Sequence, residues 1–163
     1  MSSREPGFRV LFVCTGNTCR SPLAAGALAH ELGADAARVD VSSAGTAAAE
    51  GDPAQPYAIE VAGRDQVDLH GHRSRRLTPE LLRQADLVFV MERPHRAFIE
   101  RMGVGADKTF VLSEWPGTGE PELAISDPFG GSIEAYEECW RRIRRHVRRV
   151  APQVAEAARA RSL

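Results

Sequence analysis

A chain of 163 residues with 43% hydrophobic and 26% charged residues has an ordinary globular composition and is long enough to bury its own core. Its formal net charge of −1 argues against a general attraction to nucleic acid or a membrane surface, and no apolar run reaches membrane-spanning length. Three cysteines are too few for a disulfide framework and fit a reducing, cytoplasmic setting. The opening Met1-Ser2-Ser3-Arg4-Glu5-Pro6 lacks a signal-peptide core, and residues 1–7 read as a flexible lead-in to a single domain spanning 1–163.

The first element is a buried strand over Phe8–Val13, an apolar run that stops at Cys14. Pro22 sits where a helix would begin, since proline is favoured at the first helical position. The loop between them carries Cys14, Arg20 and the spacing Cys-x5-Arg. Backbone N–H groups and the positive end of the helix dipole converge on such a loop, which makes it an anion site. A thiol placed in that field ionises easily. Arg20 adds a planar fork suited to two phosphate oxygens.

The helix from Pro22 ends at Gly33, and Val39 and Val41 alternate with polar residues in a second strand that turns at Ser43-Ala44-Gly45. Strand, helix, strand in this compass is a βαβ unit and predicts a parallel sheet. Residues 46–56 read as loop, Pro56 opens a short helix through Val61, and residues 69–76 are polar and irregular. Thr78-Pro79 is a helix start, with threonine as cap. Asp86–Met91 is a third, central strand, a helix follows from Pro94 to before Gly103, and Lys108–Leu112 is the fourth strand.

Residues 113–131 form a long Gly- and Pro-rich loop, of the kind that is usually functional or mobile. Ser132 caps a last helix whose stripe of Ile133, Tyr136, Trp140, Ile143, Val147, Val150 and Val154 faces the core, with Pro152 expected to kink or interrupt it. The arginines threaded through that stripe, Arg141, Arg142, Arg144, Arg145, Arg148 and Arg149, read as its solvated face. The whole is an α/β fold: a doubly wound, four-stranded parallel sheet flanked by helices, with a phosphate-binding loop after strand one. Ligands of such sheets sit beyond the carboxyl ends of the strands, where strand order reverses.

A thiolate displaces a leaving group from phosphorus only if that group is protonated as it departs. Asp127, at the end of the long loop and before Pro128, is the candidate acid; the bland alternative is an aspartate that caps or turns.

Cys14-Thr-Gly-Asn-Thr-Cys-Arg-Ser-Pro, Ser43-Ala44-Gly45 and Asp127-Pro128-Phe129-Gly130-Gly131-Ser132 together resemble the low-molecular-weight protein tyrosine phosphatase family, over about residues 8–150. The resemblance implies a cysteinyl-phosphate intermediate. Cys14 would be the nucleophile, Arg20 would bind phosphate and stabilise the transition state, and Asp127 would act as acid and then base. Thr15, Gly16, Asn17, Thr18, Cys19 and Ser21 would line the phosphate loop, with Ser21 assisting the thiolate as a leaving group. Ser43 and His72 would buttress Asn17. The implied partners are phosphorylated proteins, with no cofactor and no metal.

Two positions depart from the tyrosine-specific pattern. Thr18 stands where isoleucine is usual, and Phe129-Gly130-Gly131 follow Asp-Pro where tyrosines often flank a phenyl ring. Both changes resemble the branch that removes phosphate from arginine. A hydroxyl at the rim could orient a planar guanidino group or the incoming water; the competing reading makes Thr18 a neutral variation. Phosphotyrosine hydrolysis by the same mechanism is the alternative function, and a non-catalytic phosphate-binding module is a rival from another class. Cys19 is close enough in sequence to Cys14 for a protective disulfide, or is a packed thiol. Arsenate reduction would need a mobile cysteine pair, and only Cys139 remains. His70-Gly71-His72 has metal-like spacing without a partner cluster, and Trp115 either lines the cleft or anchors the long loop.

Overall fold

The computed structural model describes residues 7–117 and 124–161. The lead-in over residues 1–6 and the middle of the long loop, 118–123, lie outside the described residues. Four parallel strands, β1 (Phe8–Cys14), β2 (Val39–Gly45), β3 (Leu87–Val90) and β4 (Thr109–Val111), run in the order β2-β1-β3-β4. Strand β1 is central, pairing Phe12 with Ser43 on one side and with Phe89 on the other. The chain therefore crosses over β1 between β2 and β3, and the switch point lies beyond the ends of β1 and β3.

Alternation along β1 divides the core. Val10, Phe12 and Cys14 face one layer with α1 (Arg20–Leu32), α2 (Pro56–Gly63) and α5 (Ile133–Arg161). Leu11 and Val13 face the other, with α3 (Pro79–Gln84) and α4 (Arg93–Met102). Phe12 stacks on Phe89 at 5.6 Å, and Trp115 meets Phe89 edge-on at 5.3 Å. Trp115 thus anchors the start of the long loop to the sheet.

Three local expectations change. Helix α1 begins at Arg20, so Pro22 occupies its third position rather than its first. That site tolerates proline because the first four helical N–H groups have no intrahelical acceptor. Helix α5 continues through Pro152 to Arg161. Val150 and Val154, fully buried on either side of the proline, supply the packing that outweighs its lost hydrogen bond.

The α5 arginines divide: Arg141, Arg145 and Arg148 are exposed, as a solvated face requires, whereas Arg142, Arg144 and Arg149 are partly buried and act as clamps. Arg149 donates to the Leu112 carbonyl at 2.8 Å and to that of Trp115. Arg144 pairs with Asp65 at 3.0 Å while covering the Trp140 ring. Arg148 reaches Glu31 at 3.1 Å. The apolar stripe brings these stems close to neighbouring carboxylates and carbonyls. Helix α3 starts as expected, with Thr78 Oγ1 accepting from the Leu81 amide at 3.2 Å. Ser132 Oγ accepts from the Ala135 amide at 3.4 Å ahead of α5.

Candidate active site

The loop from Cys14 to Arg20 is a bowl between the end of β1 and the start of α1, and the first amides of that helix open into it. Its rim is stitched to neighbouring backbone: Thr46 donates to the Cys14 carbonyl, Ala47 to that of Thr15 (both 2.9 Å) and Gln55 to that of Thr18 at 2.8 Å. Gly45 makes the stitching possible. A Cβ there would lie 2.5 Å from the Thr15 carbonyl oxygen and 3.0 Å from the Asn17 nitrogen.

Asn17 is the pin of the bowl. It is fully buried with φ 56°, a left-handed conformation that asparagine tolerates better than most residues. Its Nδ2 donates to Ser21 Oγ at 2.8 Å and Ser43 Oγ at 2.9 Å, while Oδ1 accepts from the Arg75 amide at 2.9 Å. His72 Nε2 lies 2.6 Å from the Asn17 carbonyl, which requires the proton on Nε2. Burial, ahead of the nearby arginines, holds the His72 pKa below its ordinary value.

Cys14 Sγ lies at the foot of the bowl, 2.9 Å from Ser21 Oγ and 3.3 Å from the Asn17 amide that donates to it. Arg20 is buried, and its two arms have different tasks. Nη1 is taken by Glu92 and by the Ile125 carbonyl at 2.9 Å. Nη2 turns to the mouth, 3.4 Å from Thr15 Oγ1 and 3.7 Å from Asp127 Oδ2. Asp127 is half exposed there, and its Oδ1 accepts from the Phe129 amide at 3.0 Å. Phe129 itself is 65% exposed.

Other residues singled out from sequence separate into neighbours and outsiders. Thr18 is partly buried, with Oγ1 accepting from the Gln55 side-chain Nε2 at 3.4 Å, and Gly16 is exposed in the loop. Cys19 faces Tyr136 Oη at 3.4 Å, and burial pushes its thiol up to about 11. Cys14 and Cys19 are both free thiols. Cys139 is buried in α5, with its pKa pushed up by burial to about 12, and this is no mobile relay position. His70 pairs with Asp68 at 2.7 Å and does not join His72 in one cluster.

Glu92, His95, Gln55 and Arg75 were not singled out in the sequence. Two of them had a signal: Glu92 and His95 follow the end of β3, across the switch point from the Cys14 loop. His95 Nε2 is 3.0 Å from Thr15 Oγ1. Gln55 and Arg75 act through loop geometry that no periodicity announces.

Known proteins resemble this chain in sequence and in fold. The family model for low molecular weight phosphotyrosine protein phosphatase matches residues 9–160. The chain is 36% identical over 151 residues to a protein-arginine-phosphatase of Bacillus subtilis, covering 92% of this chain and 99% of that protein. The structure of the YwlE arginine phosphatase from Geobacillus stearothermophilus superposes with a TM-score of 0.82 at 38% identity, covering 92% of this chain and 94% of that one. The tyrosine phosphatase Wzb from Escherichia coli K30, in complex with sulphate, gives a TM-score of 0.80 at 33% identity over 90% and 97% of the two chains. On the matched span, the shared sheet and the loop it carries, the chain belongs to the low molecular weight phosphotyrosine protein phosphatase family.

Proposed function

We propose that this enzyme removes phosphate from arginine side chains of cytoplasmic proteins through a cysteinyl-phosphate intermediate. The observation that carries the reading is the polar hydroxyl of Thr18 on the rim of a bowl whose foot is Cys14 and whose mouth holds Asp127. Cys14 attacks phosphorus as the P–N bond breaks, and Asp127 protonates the departing guanidino nitrogen. Arg20, through the Nη2 arm turned to the mouth, binds the phosphoryl group beside the loop amides and stabilises its developing charge. A water then attacks the phosphocysteine, giving its proton to Asp127, while Ser21 donates to the departing sulfur. Asn17, supported by Ser43 and His72, keeps the bowl in shape. Thr15, Gly16 and Cys19 complete its wall.

Phe129 offers one exposed ring rather than a sandwich of rings. Phosphotyrosine is the second reading, because tyrosine phosphatases stand among the relatives at similar identity. The test is kcat/KM for a phosphoarginyl and a phosphotyrosyl peptide side by side. A clear preference for phosphoarginine supports the proposal, and equal or better phosphotyrosine turnover sinks it.

A further inference from the structure

Thr15 and His95 form a pair at the mouth of the bowl that the reaction steps above leave unused. His95 is buried at the start of α4, and its Nδ1 accepts from the Glu92 amide at 3.2 Å. A neutral imidazole bonded in this way carries its proton on Nε2. Burial, with Arg20 second, pushes the His95 pKa down to about 4, so the ring is neutral across the physiological range. Nε2–H therefore donates to Thr15 Oγ1 at 3.0 Å.

The same oxygen accepts from Arg20 Nη2 at 3.4 Å. A threonine hydroxyl has two lone pairs and one proton. With both lone pairs engaged, donation is the one capacity left to Thr15, and its side chain sits on the exposed lip of the loop. Arg20 Nη2 is the arm turned to the mouth, so an oxyanion drawn to it lies beside this hydroxyl.

We propose that Thr15 is an additional oxyanion donor and that His95 is the positioning residue that fixes it as one. Resting on the phosphatase reading of the loop, the proposal assigns His95 a task separate from its place at the helix start. A guanidino N–H finds no acceptor in a hydroxyl so engaged, whereas a phosphoryl oxygen finds a donor. Thr15 thereby favours the phosphoryl end of the substrate over its side chain.

The test is the dissociation constant of inorganic phosphate, followed by NMR titration, in wild type, Thr15→Val, His95→Gln, His95→Asn and the double variant Thr15→Val/His95→Asn. Glutamine places an amide near the Nε2 position, and asparagine places one near Nδ1. Asparagine therefore keeps the Glu92 contact, and glutamine keeps the Thr15 contact. Thr15→Val and His95→Asn should each weaken phosphate roughly tenfold, as expected for one hydrogen bond to a charged group. His95→Gln should stay near wild type, and His95→Asn should cost nothing further once Thr15 is valine.

Additive losses, undiminished binding in His95→Asn, or undiminished binding in Thr15→Val each overturn the proposal. Failure of the wild type to bind phosphate overturns the anion-site reading itself, and the positioning claim with it. Binding needs no turnover, so a wrong leaving-group assignment leaves this result intact.

Discussion

Glu92 holds the inner arm of Arg20 through a charge pair that the Ile125 carbonyl completes, leaving the outer arm for the mouth of the loop. A guanidinium that is 2% exposed depends on such a partner. Glu92→Ala removes the nearer of its two carboxylate partners and leaves Asp127 at 3.7 Å, at a cost on the order of 1.5–3 kcal/mol. Glu92→Gln keeps an acceptor and loses only the charge. Thermal unfolding should separate the two, with alanine the less stable, and kcat/KM should fall further in alanine than in glutamine.

Asp127 is predicted to matter in proportion to the leaving group. Asp127→Asn should lower kcat by roughly 10²–10⁴ for a poor leaving group and less for an activated aryl phosphate, since general acid catalysis contributes on that scale. The comparison of two leaving groups within one variant is the readout. An equal loss for both would assign Asp127 to binding or to loop geometry instead.

The sheet and the bowl were legible because each has a local signature. An apolar run ending at Cys14 and the order of βα units specify β1, its loop and the parallel sheet. The contacts implied for Asn17 were reached through the family motif, and the hydrogen bonds to Ser43 and from His72 now give them geometry. Gln55 was illegible because it reaches the bowl from the loop before α2 with no periodic pattern, whereas Glu92 and His95 arrive together after β3, where strand order and not local pattern carries the signal. Pro152 misled because burial on both sides of it outweighs a local rule.

Asn17→Ala removes the side chain that meets Ser21, Ser43 and the Arg75 amide. It strands buried polar groups and places alanine at a positive φ. The expected loss of stability is on the order of 2–4 kcal/mol, read by denaturant unfolding. Activity should fall with it, because the amide of residue 17 would no longer be held against Cys14 Sγ.

Acid should weaken the fold through the buried His95 and the partly buried His72. His72 and His95 bind protons less readily in the folded chain than in the unfolded one, where histidine titrates near 6.5. The unfolded state therefore takes up more protons, and stability is full above about pH 6.5. It is lost as pH falls toward the His95 value of about 4. The His95 share is on the order of 3 kcal/mol, or roughly 6–12 °C in Tm for a chain of this size. His95→Gln should flatten the Tm profile between those limits, and an unchanged slope would assign the acid sensitivity to other groups.

Thr18→Ile replaces the rim hydroxyl and ends the contact with Gln55. The ratio of kcat/KM for phosphoarginine over phosphotyrosine should drop by roughly tenfold or more, the scale of a lost hydrogen bond that discriminates between substrates. Gln55→Leu should move the ratio in the same direction by less. Matched losses on both substrates would mean that Thr18 shapes the loop without selecting the substrate.

The most direct measurement is a rapid acid-free quench of wild-type enzyme mixed with a phosphoarginyl protein, followed by peptide mass mapping. The account predicts one phosphoryl group on Cys14, its appearance preceding phosphate release, and none in Cys14→Ala. Phosphate release from phosphoarginine with no phosphoryl group on Cys14, or a phosphoenzyme formed from phosphotyrosine alone, would contradict it.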